Sequence, residues 1–148
     1  MLPGKNALMY KALLDTNIII DALAARQPFA IQAERMFRDA VNYRYVGYIC
    51  GSSITDVYYI IRKQIGHETA QAAVAMLLKV FTIIPVGEEI CSTALDLGWN
   101  DFEDAVITAS AMKAGLDFVV TRDKELHLVD TKNLGFYFLP PDIFVSRL

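Results

Sequence analysis

Short, continuously apolar runs alternate along this chain with longer stretches whose apolar residues recur every three or four positions. The runs at 10–15 (YKALLD), 45–50 (YVGYIC), 82–86 (TIIPV), 117–121 (DFVVT) and 136–139 (FYFL) read as strands buried on both faces. Helical spacing marks 29–41, where Phe29, Ala33, Met36, Phe37 and Ala40 share a face. It marks 68–81 as well, through Ala70, Ala73, Val74, Leu77, Leu78 and Phe81. Further helices are predicted over 17–25, 54–64, 88–97 and 104–114, with Ser52 and Ser53 opening the third and Gly115 closing the last. Pro140 and Pro141 stop the final strand.

Strands alternate with helices through brief connections, the signature of helices covering both faces of a mostly parallel sheet. The expected fold is therefore α/β, a three-layer α/β/α sandwich. It forms one domain over residues 9–148, with 1–8 as a short N-terminal lead. The chain shows no internal repeat and no linker.

Composition narrows the function. With 148 residues, 54% of them hydrophobic, the chain suits one packed core. Lys and Arg number 14 against 17 Asp and Glu, a net charge of -3. That balance argues against holding nucleic acid mainly through a basic surface, but leaves open a route through bound metal ions. No stretch approaches the roughly 20 apolar residues of a membrane span, and the N-terminus lacks the apolar core of a secretory signal. Cys50 and Cys91 form no CxxC pair and read as reduced, buried, small hydrophobes in a cytoplasmic protein.

Four acids stand where chemistry could be. Asp15 ends the first strand and Asp123 follows the fourth, while Asp56 and Asp104 lie near helix starts. In an open parallel sheet, strand C-termini and the following helix N-termini share one edge, where ligands bind near the switch in strand order. Each acid also has a plainer reading. Ser53-Ile54-Thr55-Asp56 matches a capping box, Asp101 could cap the helix holding Asp104, and Asp123 could cap the turn at 124–128. Asp15 is hardest to dismiss, because a carboxylate after Ala12-Leu13-Leu14 is costly to bury without partners. Converging carboxylates repel unless a cation neutralises them, and hard divalent ions such as Mg²⁺ or Mn²⁺ prefer oxygen ligands. Such a site suits phosphodiester hydrolysis.

Competing constellations are absent from the sequence. His67 and His127, without HExxH or paired cysteines, do not make a zinc site and read as surface residues. There is no GxSxG elbow, no GxxxxGK[ST] loop and no GxGxxG fingerprint.

Three ordered segments carry a family resemblance: Leu13-Leu14-Asp15-Thr16-Asn17 with Ile18 to Asp21, Asp104-Ala105-Val106-Ile107-Thr108-Ala109 with Gly115, and Phe118-Val119-Val120-Thr121-Arg122-Asp123. In order and spacing they resemble the motifs of PIN-domain proteins, particularly the small VapC-like toxins of toxin–antitoxin pairs. The resemblance implies a ribonuclease using Mg²⁺ or Mn²⁺, with Asp15, Asp56, Asp104 and Asp123 as catalytic, metal-holding acids. At position 56 the family usually carries glutamate, and this chain has the shorter aspartate. Thr16 and Asn17 would orient Asp15 through hydroxyl and amide, and Asp101 is an alternative third acid. Arg122 and Lys124 are candidates for substrate phosphates, while Asp21 is expected on a solvated face. In the implied reaction, a metal-activated water attacks the scissile phosphate in line, leaving a 5′-phosphate and a 3′-hydroxyl.

The leading expectation is thus a metal-dependent endoribonuclease with RNA as substrate, an antitoxin protein as partner and a cytoplasmic location. A homodimer is also implied by the resemblance; the tail Ile143-Phe144-Val145 and Tyr43, Tyr45, Tyr48, Tyr58 and Tyr59 are apolar surface that it could bury, and core packing explains them equally well. The alternative is a non-catalytic module of the same fold that binds RNA or protein, motivated by Asp56 and the acidic balance. A third reading, phosphoryl transfer through Asp15 as nucleophile, is disfavoured because Asn17 stands where such enzymes carry a second acid.

Overall fold

A computed structural model describes residues 9–148, so the lead expected at 1–8 lies outside the described residues. Five strands, β1 (Lys11–Leu14), β2 (Val46–Cys50), β3 (Thr82–Ile84), β4 (Phe118–Val120) and β5 (Tyr137–Leu139), form one sheet in the order β3-β2-β1-β4-β5. Every pairing is parallel. Among the described residues, eight helices connect and flank them: α1 (Thr16–Leu23), α2 (Ala30–Val41), α3 (Gly51–Ile65), α4 (His67–Val80), α5 (Glu88–Leu97), α6 (Phe102–Ala114), α7 (Lys124–His127) and α8 (Pro141–Ser146).

The sheet separates two apolar clusters, and its period of two decides which residue joins which. Ala12, Leu14, Phe118 and Val120 pack with α1–α4 and α8, whereas Leu13 and Val119 pack with α5 and α6 on the other face. Both faces are covered, and so the strands read as unbroken apolar runs. Burying each Leu, Ile or Phe of these layers stabilises the fold by about 1.5–3 kcal/mol. The close approach of layers explains Gly47 on β2, where a Cβ would stand 2.5 Å from the Phe81 ring.

Several boundaries differ from the sequence pattern. α3 begins at Gly51, directly after β2, so Ser53-Ile54-Thr55-Asp56 is helix interior and no capping box forms. Leu78 is exposed because α4 buries only Ala70, Ala73 and Leu77. Cys91 is exposed, not buried: α5 turns Ile90 and Ala94 inward, and the next position falls off that face. Cys50 is buried as expected, and burial pushes its thiol up to about 11. The tail adds a helix, α8, that the prolines had hidden. It places Phe144 and Val145 in the core beside Tyr45, so these residues offer no surface to a dimer. Among the described residues, no helix is long and apolar enough to cross a membrane.

Candidate active site

After β1 the chain turns to β2 and β3 on one side, and later returns to β4 and β5 on the other. The switch in strand order therefore falls between β1 and β4, and opens a crevice at their C-terminal ends. Asp15 and Thr121 emerge there side by side, since Leu14 pairs with Val120 and the Asp15 amide donates to the Val120 carbonyl at 3.0 Å.

Asp15 is 8% exposed, and each of its carboxylate oxygens has a donor. Oδ1 accepts the Thr16 amide at 2.8 Å, which caps α1, and Oδ2 accepts the Thr121 hydroxyl at 2.8 Å. Burial raises the Asp15 carboxyl above its ordinary range, with Asp123 adding to the shift and the Thr121 and Thr16 hydrogen bonds opposing it. The Thr121 oxygen also accepts the Asp123 amide at 3.0 Å, so a single hydroxyl ties two acids together. Asp123 in turn caps α7, its Oδ1 accepting the Glu125 amide at 2.9 Å.

The third acid arrives from α6. Asp101 caps this helix by accepting the Asp104 amide at 3.1 Å, and the Asp104 carboxyl feels the charges of Asp15 and Asp123 across the crevice. Burial pushes Asp104 up to about 7, helped by the charges of Asp101, Asp15 and Asp123. Glu103, unmarked by the sequence motifs, belongs to the same array. Its carboxyl is raised by burial first, then by Asp56, Asp15 and Asp101.

Asp15, Asp104 and Asp123 are thus close enough to repel one another. Asp56 sits apart, exposed on α3, where Glu103 is the acid it acts on. These two line a cavity of about 400 Å³ together with Thr16, Asn17 and Tyr59. Among the described residues, no group of three or more His, Cys, Asp or Glu side chains is poised to enclose a metal ion by itself. The donor set still fits magnesium or manganese, because such ions take one or two carboxylates and keep several waters.

Other expectations about the site change. Thr16 supports Asp15 through its backbone, and its hydroxyl instead donates to Ser53 of α3 at 2.7 Å. Asn17 is exposed on the cavity wall, and the hydroxyl that orients Asp15 belongs to Thr121. Asp21 is not solvated: it is 1% exposed and paired with Arg122, because α1 turns it under the β4–α7 connection. Arg122 is consequently occupied, and Lys124 is the exposed cation beside Asp123. His67 is a surface residue bonded to the Tyr58 hydroxyl, and half-buried His127 bonds the Thr121 carbonyl at 2.8 Å.

The family model described as PIN domain matches residues 11–125. Among solved structures, the chain is similar to Mycobacterium tuberculosis VapC20, described as a sarcin-ricin loop cleaving toxin. Identity there is 17% and the TM-score 0.61, over 82% of this chain and 91% of that one. A toxin–antitoxin complex from Klebsiella pneumoniae aligns at 22% identity and TM-score 0.63, over 88% and 97% of the two chains. DNA-bound VapBC from Salmonella typhimurium aligns at 18% and 0.64, over 90% and 99%. These likenesses establish the fold. No curated protein sequence matches the chain.

Proposed function

The chain belongs to the PIN-domain family, and on that premise we propose that it is a divalent-metal-dependent endoribonuclease, the toxin of a toxin–antitoxin pair. Residues 9–148 are read as its single domain. One observation carries the proposal: Asp15, Asp104 and Asp123 lie within electrostatic reach of one another at the switch point of the sheet, and burial together with that repulsion raises the carboxyls of Asp15 and Asp104. That arrangement costs stability in the empty protein, and binding a hard cation relieves the cost.

Asp15, Asp104 and Asp123 would hold Mg²⁺ or Mn²⁺, with Asp56 acting from the rim. Bound there, the ion supplies an activated water and stabilises charge developing on the phosphate and the leaving oxygen. The chain's own contribution is rigidity. The Thr121 hydroxyl and Thr16 amide fix the Asp15 carboxylate, and the same hydroxyl fixes the backbone at Asp123. Asp101 fixes the first turn of α6, and thereby Asp104. Lys124, exposed next to Asp123, is the side chain proposed to meet a substrate phosphate.

The solved structures of similar fold include toxin–antitoxin complexes, which supports an antitoxin as partner. A homodimer and a cytoplasmic location belong to the same proposal. The test is incubation with structured RNAs in Mn²⁺, Mg²⁺ or chelator. Metal-dependent fragments bearing 5′-phosphate and 3′-hydroxyl ends are expected.

A second reading, a non-catalytic RNA- or protein-binding module, is favoured by one observation. No trio of ligands is preassembled among the described residues, and the short Asp56 stands at the rim. Calorimetry separates the two, since saturable Mn²⁺ binding is expected only for the enzyme.

A further inference from the structure

The connection from β4 to α7 has two sides. Asp123 acts on the acids of the crevice, while its neighbour Arg122 turns toward α1 and α2. On that second side lies a cavity of about 420 Å³, within the range of small-molecule sites, about 300–1,000 Å³.

Its chemistry is two-part. Phe29 is 41% exposed, and the Arg122 guanidinium lies over its ring, 3.8 Å from the centroid. Pro28, Pro140 and Pro141 extend this flat, apolar wall. At the rim stand Lys124 and His127, with Asp142 as the acid of the α8 side. Asp21 answers the charge of Arg122, whereas Lys124 makes no ion pair among the described residues. The cavity therefore offers an aromatic–guanidinium plane beside an ammonium held in no ion pair. A flat apolar ring joined to an anion satisfies both parts.

We propose that this cavity is a subsite for one nucleoside monophosphate unit of single-stranded RNA. The base stacks on the Phe29–Arg122 plane and the adjoining phosphate meets Lys124. The proposal rests on the ribonuclease reading for its placement, since Lys124 directly follows Asp123 in the connection that separates this cavity from the acid crevice. Stacking tolerates every base, so the subsite grips RNA without reading its sequence.

The experiment is a titration of the whole protein with AMP, GMP, CMP and UMP in chelator, with ribose 5-phosphate as the probe lacking a base. Wild-type protein is expected to bind all four nucleotides at least about fivefold more tightly than ribose 5-phosphate. Phe29→Leu should erase that advantage and Phe29→Tyr should keep it. Lys124→Gln should weaken all five probes and flatten their dependence on salt. Circular dichroism confirms that each variant folds. Ribose 5-phosphate binding as tightly as AMP would overturn the subsite, as would Phe29→Leu binding AMP like wild type. No saturable binding of any nucleotide also overturns it. In parallel, RNA cleavage with Mn²⁺ should show a raised KM and unchanged kcat for Phe29→Leu. Nucleotide binding that behaves as described without any cleavage upholds the subsite and defeats the ribonuclease reading. Cleavage without nucleotide binding does the reverse.

Discussion

Asp21 accepts two hydrogen bonds from Arg122, Nε to Oδ2 at 2.7 Å and Nη2 to Oδ1 at 3.2 Å. The pair sits one residue from Thr121, whose hydroxyl binds Asp15 at 2.8 Å. Both ends of the Asp15–Asp21 segment therefore grip consecutive residues of the β4–α7 connection, and the position of Asp123 follows from two anchors. Breaking the pair by Asp21→Ala leaves a guanidinium without its partner. The expected loss is about 3 kcal/mol, near the lower end for a broken buried pair because Arg122 still reaches solvent. Urea unfolding measures it, and an unchanged midpoint would show that the pair is decorative.

Thr121→Val removes one hydroxyl and two roles. Asp15 loses a donor and the Asp123 amide loses an acceptor. Divalent-ion affinity should fall by about 10–100-fold, the usual effect of losing a group that orients a ligand. Thr121→Ser restores the oxygen and should recover most of it. Calorimetry with Mn²⁺ reads both variants.

The metal-free protein should lose stability as pH rises from about 4 to about 7. Asp104 titrates near 7 when folded, against about 3.9 for an unfolded aspartate. Across that window the folded state holds a proton that the unfolded state has released, so stability falls with rising pH. Asp15, also raised by burial, pushes in the same direction. Saturating Mg²⁺ or Mn²⁺ should remove the decline, because the cation then satisfies the ionised carboxyls. Thermal melts across this range, with metal and with chelator, check the slope.

Much of this was readable from residue order. Alternating strands and helices gave the layered parallel fold, and Asp15, Asp104 and Asp123 were visible as acids at element ends. What escaped the sequence were relations between elements. Asp21 looked solvated because nothing in its own segment reveals that Arg122, a hundred residues on, supplies its counter-charge. Glu103 escaped because it stands beside a more conspicuous acid, and only the cavity that α1, α3 and α6 share at this edge of the sheet brings it toward Asp56. Asp56 matches a capping box only if the helix starts at 54, and α3 starts three residues earlier, at Gly51, where the apolar pattern gives no sign of it. Cys91 is exposed although composition ranks cysteine as buried, because composition carries no information about helix face.

Gly47→Ala tests the packing of the sheet independently of the site. The added methyl would enter the space of the Phe81 ring, so about 1–3 kcal/mol of destabilisation is expected. Metal affinity should stay unchanged, because Gly47 is the second residue of β2 and the acids gather at the opposite, C-terminal end of the strands. Urea unfolding and calorimetry on the same sample separate the two effects.

The central claim, that the acids at the β1–β4 switch point cut RNA through a bound divalent ion, has one most direct test. Wild-type and Asp15→Asn proteins, purified in parallel, are incubated with a panel of structured RNAs in Mn²⁺ and in chelator. The account predicts cleavage by wild type in Mn²⁺ alone and its loss in Asp15→Asn, which keeps the fold and removes the charge. Undiminished cleavage by Asp15→Asn, or cleavage that persists in chelator, would contradict it.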